Sequence, residues 1–259
     1  MTRSILVTGG TGQLGRILVP MLADAGWTVR TASRSAPPPG TDPDRWFTVD
    51  FVTRTGLGEA LAGVDVVMHT ASGSPRGERQ TSAALIAELT GMPAPPHLVY
   101  ISIVGVDRIP MVYYRSKLGA EQAFAAAGLP LTVLRATQYH SLVHTLLRAV
   151  STVPAVMPVP KDVRFQSISL EPVAQRLVEL AAGEPQGRVP DLGGPEVRAL
   201  PEVARGYLRA VGKKRRIIEI PVPGGFVAGL RRGGNLVPDR ATVSQTFDEY
   251  LAALPPDRR

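Results

Sequence analysis

Up to about residue 135, short apolar runs alternate with stretches in which apolar positions recur at i, i+3 and i+4. Runs of the first kind suit buried strands, and stretches of the second kind suit amphipathic helices. Residues 4–8 (SILVT) read as a strand. Over residues 13–25, Leu14, Ile17, Leu18, Met21, Leu22 and Ala25 form one helical stripe, which Gly26 ends. Further strands are predicted at 27–32, 46–49, 64–69, 97–103 and 131–134. Helices are predicted at 55–62, 78–90 and 113–127, the last stopped by Gly128 and Pro130. Strands alternating with helices predict a parallel sheet covered on both faces.

Beyond residue 138 the pattern loosens. Helices are predicted at 141–151, 171–182, 201–211 and 223–231, with strand-like pieces at 165–168 and 216–220. Pro154, Pro158 and Pro160 break the intervening stretch. The 259 residues, 44% of them apolar, suffice for a sizeable core, and a charged fraction of 20% argues against disorder. No apolar run approaches bilayer length, and the N-terminus carries no secretory signal pattern. The absence of cysteine removes disulfides, thiolate nucleophiles and thiolate metal sites. A cytoplasmic protein without a membrane partner is expected. The net charge of +7 invites a nucleic-acid reading. However, the arginines are scattered, and the one dense basic run, Lys213 to Arg216, reads as a solvated face. No nucleic-acid partner is expected, and an anionic cofactor would account for part of the excess.

Between the first strand and the first helix stands Thr8-Gly9-Gly10-Thr11-Gly12-Gln13-Leu14-Gly15, with glycines at G-x-x-G-x-x-G spacing. Glycine permits the positive φ of a tight turn and lets backbone amides approach a pyrophosphate. The helix that follows aims its free N–H groups and positive dipole end at the same phosphates. This places Gly9, Thr11, Gly12, Gln13, Leu14 and Gly15 at a dinucleotide. The expected fold class is α/β: a Rossmann-type doubly wound parallel sheet over residues 1–138. A smaller irregular C-terminal lobe over 139–259 is expected to pack on it in the same globular unit and supply the substrate pocket. A P-loop is excluded because Arg16 and Ile17 stand where lysine and a hydroxyl are needed.

NAD-specific folds usually end the second strand on a carboxylate that holds the ribose 2′-hydroxyl. Here the strand ends Thr31-Ala32-Ser33-Arg34-Ser35. A guanidinium at Arg34 beside the Ser33 hydroxyl suits a 2′-phosphate instead, with Arg16 as a second positive charge. The cofactor expected is NADP(H).

The TGGTGQLGR turn, the strand ending in Ser-Arg, the YISIVG strand and the Tyr-x-x-x-Lys pair together resemble an atypical short-chain dehydrogenase/reductase of the NmrA-like NAD(P)-binding group. The resemblance covers residues 4 to 140 most closely. It implies that Tyr113 exchanges the proton on the substrate oxygen. It implies that Lys117 binds the nicotinamide ribose and lowers the tyrosine pKa, and that Ser102 hydrogen-bonds the substrate carbonyl. It also puts Asp50 and Phe51 near the adenine, Thr70, Ala71 and Ser72 near the ribose and phosphates, and Ala136 and Thr137 near the nicotinamide. The asparagine of the family's fuller catalytic set has no counterpart, since Asn235 is the chain's only asparagine.

Gln138, His140, Phe165 and Phe226 are candidate substrate-lining residues. His140 and His144 have the spacing of a helical metal pair, but no Glu adjoins His140, and no metal is expected. Two functions are open. One is an NADPH-dependent oxidoreductase passing hydride to a small carbonyl, quinone or polarised alkene. The other is a non-catalytic sensor that reads NADP(H). Either a monomer or a homodimer is expected.

Overall fold

The computed structural model describes residues 3–71 and 73–255. β1 (Ser4–Thr8) runs into α1 (Gln13–Asp24), followed by β2 (Thr28–Ser33), β3 (Trp46–Thr48), α2 (Leu57–Leu61), β4 (Val66–His69) and α3 (Pro75–Leu89). Then come β5 (His97–Ile103), α4 (Val112–Ala126), β6 (Leu131–Ala136), α5 (His140–Val150), β7 (Val156–Pro160) and β8 (Arg164–Phe165). The chain continues through α6 (Leu170–Ala182), β9 (Gly187–Arg188), β10 (Arg198–Ala199), α7 (Leu200–Ala210), β11 (Arg216–Ile220), α8 (Gly225–Arg231) and α9 (Phe247–Ala253). These elements form two compact units. One comprises Met1–Ser102, Arg115–Leu134 and Val173–Val189, the other Ile103–Tyr114, Arg135–Pro172 and Pro190–Arg259.

The first unit carries a seven-stranded sheet in the order β3-β2-β1-β4-β5-β6-β9, with β1 paired in parallel to both β2 and β4. Parallel strands are buried on both faces, which is why β4 and β6 read as near-continuous apolar runs without an exposed position. On α1, Leu14, Leu18 and Leu22 face inward at helical spacing. Gly26, at φ +86°, ends that helix in the left-handed conformation. Strand order reverses between β1 and β4, and in an open α/β sheet the crevice beyond the carboxyl ends at such a point receives the ligand. Beneath it, one core cluster runs through Leu6, Val67, Leu85, Leu98 and Tyr100 to Phe124.

In the second unit, β8 and β10 form a short antiparallel pair and β7 and β11 a parallel one. The break expected at the prolines is a strand instead, because Pro158 and Pro160 lie inside β7. The Ala155 carbonyl and the Lys161 N–H face β11. Alternation therefore turns the nitrogens of 158 and 160 to the far side, where no ladder donor is needed. The strand expected at 165–168 shortens to β8 because Gln166 is drawn elsewhere. Its Nε2 donates to the Gly194 carbonyl at 2.9 Å and its Oε1 accepts from the Val237 N–H at 2.7 Å. The pattern also gave no sign of α9, which Thr246 and Glu249 close with a reciprocal capping box. Among the described residues, no helix is long and apolar enough to cross a membrane.

Phe124 is fully buried and meets the Tyr100 ring edge-on, with centroids 5.2 Å apart. Truncation to alanine removes that packing and leaves a cavity, so Phe124→Ala should cost about 3–5 kcal/mol. Urea unfolding measures it, and a loss below about 1 kcal/mol would contradict this packing.

Candidate functional site

The turn between β1 and α1 brings backbone against backbone. Gly9 sits at φ +77°, and a Cβ there would stand 2.7 Å from the N and Cα of Ala71. A Cβ on Gly15 would stand 2.5 Å from the Cα of Gly10. Neither position tolerates a side chain without displacing main chain. Gly12 is the N-cap of α1 and offers no side-chain cap to the N–H groups behind it, a ready seat for a phosphate. Thr11 and Gln13 are exposed on the turn and Leu14 is buried below it. Arg16 is exposed, and its Nε donates to the Thr11 carbonyl at 2.9 Å, folding the guanidinium back over the turn.

Beyond β2, the Ser33 hydroxyl accepts from the Ser35 N–H at 3.2 Å, and the Trp46 indole donates to the Ser35 carbonyl at 3.0 Å. Arg34, between them, is exposed. Asp50 shapes its own loop, accepting from the Val52 N–H at 2.7 Å, while Phe51 packs on the core. Across the strand reversal, the Thr70 hydroxyl donates to the Thr8 carbonyl at 2.7 Å, and the Ala71 N–H reaches the Thr8 hydroxyl at 3.4 Å. Ser72 lies outside the described residues.

A polar cluster is buried between β4, β5, α3 and α4. Lys117 on α4 is 3% exposed. Its Nζ donates to the Ile101 carbonyl at 2.9 Å, lies 3.3 Å from Glu78 Oε1, and sits 4.4 Å above the Tyr100 ring. Burial pushes the Lys117 pKa down, while Glu78 and then Glu121 oppose the fall. The Tyr100 hydroxyl donates to the same Glu78 oxygen. His69, fully buried, is bonded through Nδ1 to the Thr8 hydroxyl at 2.6 Å and stacks on Tyr100 at 5.4 Å. Ser102, at the end of β5, is buried, and its Oγ has no partner among the described residues.

Tyr113 lies one turn before Lys117 on α4 and is half-buried. Its neighbour Tyr114 is buried, and the Tyr114 hydroxyl accepts from Gln138 Nε2 at 2.9 Å, so the two tyrosines are not interchangeable. Tyr139, which the sequence reading passed over, has its phenol pKa raised by burial and then by nearby Tyr113.

Of the other expected residues, Ala136 and Thr137 are buried at the end of β6, and the Thr137 hydroxyl accepts from the Gly194 N–H at 3.1 Å. The Gln138 Oε1 is buried and has no partner among the described residues. An unpaired buried acceptor costs about 1–3 kcal/mol, which a bound group could recover. His140 is more occupied than expected. Its ring nitrogens meet the Ser167 hydroxyl at 2.8 Å and the Gln245 carbonyl at 2.9 Å, and its ring packs on Phe247 and Tyr250. It still borders a small cavity of about 70 Å³, together with Ser141, Ser169, Glu171 and Tyr250. His144 packs on Tyr207 and Tyr250. Phe165 is half-buried on β8 and Phe226 is 41% exposed on α8.

The main residues missed were Glu78 and Tyr100. Glu78 falls in phase with Ser82, Leu85 and Leu89 on the buried stripe of α3. A carboxylate on an apolar stripe was the signal to follow, since unpaired charges are rarely buried.

A family described as NAD(P)H-binding matches residues 9–184. The chain is 29% identical over 228 residues to the (4-alkanoyl-5-oxo-2,5-dihydrofuran-3-yl)methyl phosphate reductase of Streptomyces griseus, covering 84% of this chain and 77% of that one. It is 27% identical to the ceramide reductase of Caulobacter vibrioides, covering 87% and 76%. Among solved structures, the NADPH complex of the Escherichia coli quinone oxidoreductase QOR2 superposes with a TM-score of 0.72 at 19% identity, over 96% of this chain and 98% of that one. A nucleoside-diphosphate-sugar epimerase of Staphylococcus aureus gives 0.73 at 17% identity, over 96% and 99%.

Burial, and then the charge of Lys117, hold the His69 pKa down at about 3, from an ordinary 6.5. A folded-state value below the unfolded one means that protons bind the unfolded chain first. The group is neutral to stability above pH 6.5, and stability drains away as the pH falls from there toward about 3. Between pH 7 and pH 5 this should amount to about 2 kcal/mol in urea unfolding and vanish in His69→Gln. Parallel pH profiles for the two proteins would count against it.

Proposed function

Because the chain belongs to the NAD(P)H-binding family, with the NmrA-like group as its setting, we propose that it is an NADPH-dependent oxidoreductase. Its substrates are small carbonyls, quinones or polarised alkenes. The observation that carries this reading is the buried ammonium of Lys117, one helical turn from Tyr113. Burying a cation costs several kcal/mol even when it is paired, and such costly buried charges cluster at functional sites.

The glycine turn and the N-terminus of α1 fit a pyrophosphate, since a Cβ at Gly9 or Gly15 would fill the cradle with main-chain clashes. Arg34 and Ser33 hold the 2′-phosphate, with Arg16 beside the turn. When bound, NADPH supplies the hydride. Tyr113 donates its phenolic proton to the substrate oxygen, or to the carbon that receives it in an alkene. Lys117 stabilises the phenolate left behind. Ser102 and Gln138, each with a buried polar atom lacking a partner among the described residues, orient the substrate. Phe165 and Phe226 are proposed to flank it. Both curated relatives are named reductases. The substrate named for the S. griseus protein is a 5-oxo-2,5-dihydrofuran, whose ring alkene is polarised by its carbonyl, which supports the third substrate class. The missing asparagine favours a second reading, a sensor that binds NADP(H) and consumes none.

Trp46 bonds to the Ser35 carbonyl, so its fluorescence should respond to a nucleotide bound at the proposed 2′-phosphate site. Wild-type protein should bind NADPH at least about tenfold more tightly than NADH, a preference abolished by Arg34→Ala. Equal binding of both nucleotides by wild type refutes the 2′-phosphate assignment, and binding of neither refutes the cofactor. NADPH oxidation by quinones and aldehydes, lost in Tyr113→Phe with binding retained, distinguishes enzyme from sensor.

A further inference from the structure

Lys117 owes its position to a residue outside the Ser-Tyr-Lys set. Glu78 has no solvent exposure, and its Oε1 receives both the Tyr100 hydroxyl and the Lys117 ammonium. Its Oε2 has no partner among the described residues, so the whole carboxylate depends on this one corner. The Lys117 ammonium has three donors, two of which are spent on Glu78 and on the Ile101 carbonyl. The third remains for a ribose hydroxyl or for Tyr113.

We propose that Glu78 is the positioning residue of Lys117: clamped by Tyr100, its carboxylate fixes the ammonium beside the end of β5 and keeps it charged. The relevance to chemistry rests on Lys117 belonging to the site, as proposed above. Four groups face Lys117. Glu78 comes from α3, Glu121 from the next turn of α4, Tyr100 from β5 with its ring and hydroxyl, and His69 from β4. His69 stays neutral above about pH 3, so it adds no charge in the working range. Glu121 supplies the weaker negative field. With Glu78 neutralised, a buried ammonium keeps only that field, the carbonyl and the ring, and desolvation favours loss of its proton.

The test is direct because Lys117, Lys161, Lys213 and Lys214 are the chain's lysines, and the last three are exposed references. Protein labelled with ¹³C,¹⁵N-lysine is titrated by NMR at the side-chain Cε and Nζ for wild type, Glu78→Gln, Glu78→Asp and Tyr100→Phe. Lys117 should titrate lowest of the four in wild type. Its midpoint should fall by at least about one further pH unit in Glu78→Gln, and by less in the other two variants. The three reference lysines should not move. A folded Glu78→Gln protein in which Lys117 titrates as in wild type overturns the proposal. Should that variant fail to fold, an unmoved Lys117 in both Glu78→Asp and Tyr100→Phe overturns it equally. NADPH affinity of the same proteins separates the two readings. Weakened binding alongside a displaced titration supports both. A displaced titration with wild-type affinity supports the role of Glu78 and sinks only the contact between Lys117 and the cofactor.

Discussion

Main chain lies directly on main chain where β1 turns into α1, and the first unit is arranged around that contact. Gly9 backs onto Ala71 and Gly15 onto Gly10, so the start of the helix and the ends of two central strands share one small volume. The contact fixes how close α1 approaches the sheet, and thereby where the helix dipole points. The Thr8 hydroxyl knits the same place from below, reaching the Ala71 N–H and His69. A side chain at either glycine would separate these layers and tilt the helix away from the crevice it serves.

Below the turn, the interior is not purely apolar. Thr8, His69, Tyr100, Glu78 and Lys117 follow one another from β1 through β4 and β5 to the helices, enclosed by Phe124 and its neighbours. Low dielectric strengthens every pairing in such a chain and penalises every gap. The cluster therefore ties the geometry of the turn to that of α4. The residues that read as packing and those that read as chemistry are in contact, and a change to one is felt by the other.

Much of this was legible in the amino-acid pattern. Glycine spacing located the turn, apolar runs located the sheet, and Gly26 located the end of α1, because each follows from local sterics or simple periodicity. What stayed hidden depended on pairing between distant residues. Glu78 looked like one more polar residue on a helix until its phase with Leu85 and Leu89 was set beside Lys117, which is 39 positions away. Gln166 erased most of a predicted strand by bonding to Gly194 and Val237 instead. Asp50 also accepts from an N–H of its own loop, and His140 is held on both sides of its ring. Side chains of this kind satisfy the backbone, and no local periodicity records that.

The prolines of β7 carry one more implication. Among the described residues β7 has no strand on its other side, and an uncovered strand edge is a template on which a second chain can register. Of the three outward positions of β7, Pro158 and Pro160 have no N–H to give such a visitor, and the Val156 N–H is already bonded to the Pro154 carbonyl. The same residues that obscured the strand in the sequence thus leave it poorly suited to recruiting copies of itself, and this short parallel pair can stay small without seeding aggregation.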